Sequence, residues 1–153
     1  MKVALLKSIL LISFFWISLA AGAQVLDPVK WDFHVEQGEF GLDLIFHASI
    51  ENSWYLYSQD VPEFGPIPTS FHFESPLEIK LDSFLLEKSS HAQQKYDEMF
   101  ALDLLKYSKE VDFIYTLDPK FPAKEISGYL EFMCCDDKQC LAPKTIPFTF
   151  KIN

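Results

Sequence analysis

Hydrophobic and polar positions alternate with period two over most of this chain. Phe40, Leu42, Leu44, Phe46, Ala48 and Ile50 alternate with Gly41, Asp43, Ile45, His47 and Ser49, which predicts a half-buried strand. After a turn at Glu51-Asn52-Ser53, Trp54–Ser58 continues as a second strand, and Thr69–Phe73 follows a Pro/Gly loop at Val61–Pro68. Leu77–Leu81 is a weaker strand. Val111, Phe113, Tyr115 and Leu117 alternate again, Ile126 shares a face with Leu130 and Phe132, and Ile146, Phe148, Phe150 and Ile152 form the last strand. Short strands separated by turns at this spacing predict an all-β antiparallel sandwich. Ser89–Tyr107 resists the pattern; it is polar and then mixed, and reads as a long loop with a helical turn.

The same alternation sorts the cysteines. Ile126, Leu130, Phe132 and Cys134 fall on one face, and Ser127, Tyr129, Glu131, Met133 and Cys135 on the other. The first face is the more apolar, so Cys134 is expected inward as a small buried hydrophobe and Cys135 outward. A bridge between neighbours in sequence strains the backbone, so Cys135 and Cys140 are the economical pair. A bridge closing a loop of about six residues contributes roughly 2 kcal/mol, against about 4.7 for a loop of about 100. A disulfide that adds so little to the fold is a candidate for redox chemistry. On spacing alone the alternative, a staple at a hairpin tip, stays open.

Residues 1–23 read as a secretory signal: Lys2 and Lys7, an apolar run at Ile9–Ala20, then Ala21-Gly22-Ala23 before Gln24. The remainder, 24–153, is long enough for one domain with its own core. The expected location is the periplasm, where disulfides form. Residues 1–23 hold two of the 13 lysines and none of the 22 acidic residues, so the mature chain would carry a net charge near −11 (11 − 22). It has no arginine. Nucleic acid and anionic membrane surfaces are poor partners for such a chain, and no direct membrane insertion is expected after cleavage. Fifteen phenylalanines suit an aromatic sandwich core.

Cys135, Cys140 and a histidine could hold a soft metal. His34, His47, His72 and His91 show no ligand spacing to the cysteines or to each other, so neither a metal nor another cofactor is expected. No nucleophile–base motif, phosphate loop or carboxylate pair of glycosidase type stands out.

Five segments occur in an order that resembles a known family. They are Val29-Lys30-Trp31; Asn52–Gln59 with its Trp54-Tyr55-Leu56-Tyr57 run; Gly65-Pro66-Ile67-Pro68-Thr69; Tyr96-Asp97-Glu98-Met99-Phe100; and Met133–Pro143 with all three cysteines. The family is the N-terminal periplasmic domain of DsbD, the thiol:disulfide interchange protein. The resemblance spans about Val29 to Ile152. It implies an immunoglobulin-like sandwich whose cysteine pair relays electrons from a membrane and thioredoxin-like donor to exported acceptors, a role linked to cytochrome c maturation. Cys135 and Cys140 match the redox pair and Phe100 the aromatic cap over it. Tyr55, Tyr57, Asp97 and Glu98 match the cap and lining of the site. Two positions depart from the pattern: Ala142 stands where many relatives have a proline, and Cys134 is an extra thiol. The chain ends after this domain, so the thioredoxin-like proteins and the DsbD-type membrane transporter are expected on separate chains.

Asp136 and Asp137 beside Cys135 disfavour a thiolate, and Lys138 offsets only part of that. The pair is therefore expected to be attacked by an activated thiolate from a partner, with Asp97 or a tyrosine hydroxyl handling protons. The plainer reading of the two aspartates is turn formation.

Overall fold

The computed structural model describes residues 26–74, 85–117 and 124–152. The expected signal at 1–23 and the weak strand at Leu77–Leu81 lie outside them. Eleven strands occur among the described residues: β1 Val29–Gln37, β2 Leu42–Ile50, β3 Tyr55–Tyr57, β4 Ser70–Glu74, β5 Leu86–Lys88, β6 Ala92–Asp97, β7 Leu102–Tyr107, β8 Glu110–Leu117, β9 Glu125–Phe132, β10 Cys134–Cys135 and β11 Lys144–Lys151. They form three antiparallel sheets ordered β1-β2-β8-β5, β11-β9-β4 and β10-β3-β7-β6. The protein is an all-β, immunoglobulin-like antiparallel sandwich.

The first two sheets face each other across an aromatic core. Phe46 on β2 is its hub, with ring centroids 4.6 Å from Phe71, 4.8 Å from Phe148 and 4.9 Å from Phe150. Such side chains contribute about 1.5–3 kcal/mol each on full burial. Gly128 on β9 lets β4 and β11 approach from both sides: a Cβ there would sit 2.7 Å from Phe148 Cζ and closer still to the His72 carbonyl.

The alternation at Leu42–Ile50 forms its strand as expected, but Phe40 does not join it. Gly38 N–H bonds the Gly41 carbonyl at 2.8 Å, which closes a hairpin and leaves Phe40 exposed. β1 is an unassigned gain, although Val29, Trp31, Phe33 and Val35 alternate and pack on the core.

Ser89–Tyr107 holds no helical turn. It is the β6–β7 hairpin, paired in register from Ala92↔Tyr107 to Asp97↔Leu102. Five of the six β6 residues are exposed, so this edge strand has no apolar alternation to show in sequence.

The third sheet positions the cysteines. β9 pairs with β4 up to Glu131 and with β11 up to Phe132, then the chain changes sheet at Met133 and β10 pairs with β3 through Cys134↔Leu56 and Cys135↔Tyr55. One face of this sheet, with Leu56, Tyr107 and Cys134, closes the main core. The other, with Tyr57, Leu104 and Cys135, carries a second small core.

Candidate functional site: a capped disulfide

Cys135 and Cys140 are joined by a disulfide, with Cα atoms 4.0 Å apart. They also form a β-bridge, and Leu141 N–H reaches back to the Cys134 carbonyl at 3.0 Å. Asp136 shapes the loop between them. Its Oδ1 accepts the N–H groups of Lys138 at 2.8 Å and Gln139 at 2.7 Å, and its own N–H bonds the Gln139 carbonyl at 2.9 Å. Those backbone donors hold its carboxyl below the usual 3.8. Turn formation is thus a concrete role for Asp136. Asp137 accepts the Tyr55 hydroxyl at 3.2 Å. Burial first, and then that carboxylate, push the Tyr55 phenol up.

The two sulfurs differ in access. Cys135 is 1% exposed, and Cys140 is half-buried. Cys135 lies on the sheet face opposite Cys134, as alternation requires, but it does not point to solvent. Val61, Phe100, Leu102 and Met133 pack around the Tyr57–Leu104–Cys135 cluster and cover that face. A strand pattern reports which side a residue takes and says nothing about a loop folded over that side.

Phe100 in that cover comes from the β6–β7 turn, Glu98 to Ala101, and Asp97 holds the turn. Asp97 Oδ1 accepts the N–H groups of Met99 at 2.9 Å and Phe100 at 3.3 Å. Its Oδ2 accepts the Tyr57 hydroxyl at 3.1 Å and pairs with Lys106 Nζ at 2.6 Å. Burial would raise the Asp97 pKa. The Lys106 hydrogen bond and charge, with the two turn N–H groups, outweigh it and hold the carboxyl below 3.8. Burial and the Asp97 charge push Tyr57 far up, so its hydroxyl stays protonated and donates. Asp97 is therefore an ionised pin with both oxygens engaged, a poorer proton carrier than the sequence suggested.

Phe100 packs against the Tyr57–Leu104–Cys135 cluster, edge-on to Tyr57 with centroids 6.1 Å apart. Its neighbour Met99 reaches the outer sulfur. Met99 Sδ lies 3.3 Å from Cys140 Sγ, and Met99 is 47% exposed. Cys140 carries no thiol proton in the disulfide, so this is a sulfur–sulfur contact. Ala101 closes the turn at φ 55°, a conformation costly for a residue with a Cβ.

Beside the disulfide lies an open polar cleft of about 250 Å³ lined by Asp97, Glu98, Met99, Lys106, Asp136 and Asp137, among others. It brings the cap turn and the cysteine loop into one feature and is where Glu98 faces the site. Sequence reasoning missed three of its residues, Lys95, Met99 and Lys106. Lys106 Nζ also stands 5.1 Å from the Tyr55 ring centre and 5.8 Å from that of Tyr57. Its i, i+2, i+4 relation to Leu104 and Leu102 was the available signal, a lysine on the same strand face as two leucines.

Cys134 is 2% exposed and free, in the main core. Burial pushes its thiol up from 9.0.

No family model and no curated protein matches the chain. Solved structures share its fold. The crystal structure of the Neisseria meningitidis DsbD N-terminal domain in the reduced form aligns with a TM-score of 0.50 at 16% identity, over 80% of this chain and 86% of that one. This is a DsbD-like fold.

Proposed function

We propose that this protein is a periplasmic electron relay, a protein-disulfide reductase-type component, that works through a reversible Cys135–Cys140 disulfide. The observation that carries the reading is the asymmetric burial of the pair under a pinned cap: Cys135 is sealed and Cys140 is reachable. A thiolate of a thioredoxin-like donor attacks Cys140 Sγ in line. The Cys135–Cys140 bond breaks, a mixed disulfide forms at Cys140, and Cys135 leaves as a thiolate that takes up a proton. The donor's second thiol then attacks the mixed disulfide. The donor ends oxidised and this domain holds two electrons and two protons as a dithiol. Reduction of an exported acceptor runs the same steps outward from Cys140. Cap and redox loop, Asp97, Glu98, Phe100, Tyr55 and Tyr57 among them, act by shielding the bond and shaping entry rather than by activating a nucleophile. The donors fitting this role are thioredoxin-like proteins and a DsbD-type membrane transporter.

The reduction potential tests the reading. A relay is expected well above about −300 mV, and a structural staple in a protein-binding module below it. A value below that threshold, with no reduction by any thioredoxin-like donor, overturns the proposal.

A further inference from the structure

The chain has three methionines, and Met99 and Met133, the two within the described residues, both lie at this site. Met99 Sδ sits 3.3 Å from Cys140 Sγ, and Met133 packs against the cluster that contains Cys135. A half-exposed thioether beside a cysteine pair is an unusual choice for a mere cover, because an aliphatic side chain shields as well. Together these groups make a soft, sulfur-only donor set. Thiolate and thioether select Cu(I), whereas zinc sites are completed by imidazole, carboxylate or further thiolates. None of the four histidines lines the adjacent cleft. Among the described residues no group of three His, Cys, Asp or Glu side chains is arranged to hold a metal. The site therefore offers little to harder cations.

We propose that the reduced site binds one Cu(I) ion through the thiolates of Cys135 and Cys140 and the thioether of Met99. The disulfide loop already holds the two cysteines with Cα atoms 4.0 Å apart, and the Asp97-pinned turn holds Met99 against Cys140. A dithiol or phosphine reductant first breaks the Cys135–Cys140 bond and leaves two electrons and two protons on the sulfurs. Cu(I) then displaces those protons to solvent with no change in its own oxidation state. Two thiolates and one monovalent cation leave a net negative charge beside a cleft that already sets four carboxylates against Lys95 and Lys106, so binding rests on the softness of the sulfur donors and not on charge. The ion takes both relay sulfurs, so metal loading and disulfide exchange exclude one another. The inference shares those sulfurs with the proposed relay and needs none of its partners.

The experiment is an anaerobic titration of the phosphine-reduced, desalted protein with Cu(I) against bicinchoninate. The reduced protein is expected to withhold one equivalent and the oxidised protein none. Met99→Leu, at an exposed position that leaves the fold intact, is expected to weaken binding by roughly 10-fold or more, the scale on which groups around a metal tune its affinity. Cys134→Ala is expected to bind as the parent does. The proposal is overturned if the reduced protein withholds no more copper than the Cys135→Ser/Cys140→Ser variant. It is equally overturned if Met99→Leu binds with unchanged affinity, or if Cys134→Ala loses the site. Because the reductant is chemical, a failure of thioredoxin-like donors to reduce the disulfide would count against the relay and leave this result standing.

Discussion

Cys134 and Cys135 are consecutive in the chain and belong to different cores. Cys134 pairs across from Leu56 and packs with Phe132 and Leu130 between the main sheets, while Cys135 pairs across from Tyr55 and packs with Tyr57 and Leu104 under the cap. The sheet they share is thus apolar on both faces at this point. One thiol is separated from the Cys135–Cys140 disulfide by a layer of backbone.

Cys134 is therefore expected to be a bystander in exchange. Cys134→Ala should leave exchange rates unchanged and cost about 1 kcal/mol, near the transfer value of a small buried group. Native oxidised protein should resist thiol-labelling reagents until denatured. The raised thiol pKa has a consequence in alkali. Its stabilising effect is complete below the ordinary value of 9.0 and is lost as pH rises through the higher folded value. Rapid labelling without denaturant would contradict the burial.

Met99 and Phe100 are adjacent and should separate cleanly by mutation. Met99 is half-exposed and touches Cys140, so Met99→Ala should speed reduction by small thiols and change stability by no more than about 0.5 kcal/mol. Phe100 is partly buried against Tyr57 and the Cys135 cluster. Phe100→Ala should also speed reduction but destabilise more, short of the roughly 3–5 kcal/mol of a full aromatic core truncation. Stopped-flow reduction and urea melts measure both. A Met99→Ala rate equal to the parent's would remove Met99 from the cap.

The sandwich was legible wherever apolar residues alternate on a strand buried on one face, as at Leu42–Ile50 and Val111–Leu117. The cysteine pairing and the two cysteine faces were legible for the same reason, since period two is a property of the backbone. The cap was harder to read. β6 is an exposed edge strand whose stability comes from backbone pairing with β7, which leaves no trace in hydrophobic pattern. Burial of Cys135 depends on that hairpin folding over it, a tertiary event. Lys106 was hard to read for a related cause. A lysine between apolar residues looks like a solvent position until a buried carboxylate arrives from the hairpin's other arm.

Lys106 and Asp97 are 12% and 6% exposed at their side chains and meet at 2.6 Å. Removing one partner of such a pair leaves the other charge buried. Lys106→Met is expected to destabilise by about 3 kcal/mol, the low end for a broken buried pair. The double variant Lys106→Met/Asp97→Asn should recover part of that loss, because no unpaired charge remains. A double variant less stable than Lys106→Met in urea denaturation would show that Asp97 depends on the turn N–H groups rather than on Lys106.

Acid should open the cap through Asp97. Its carboxylate is held below the usual 3.8 by Lys106 and by the Met99 and Phe100 N–H groups, against the opposing effect of burial. The folded pKa is depressed, so the stability Asp97 contributes is fully present above the unfolded value and is lost as pH falls through the folded one. The window therefore lies below about pH 4. A protonated Asp97 loses its ion pair with Lys106 and accepts more weakly from the turn N–H groups that keep Met99 on Cys140. Reduction of the disulfide by a phosphine, followed for the parent and for Asp97→Asn at each pH, isolates this group from the other titrating carboxylates and from the phosphine's own protonation. Asp97→Asn should react faster than the parent at neutral pH, since the charge that pins the turn is gone. The ratio of the two rates should fall toward one as the parent's Asp97 protonates. A ratio that stays constant from about pH 7 to about pH 3 would mean that the Asp97 charge does not hold the cap closed.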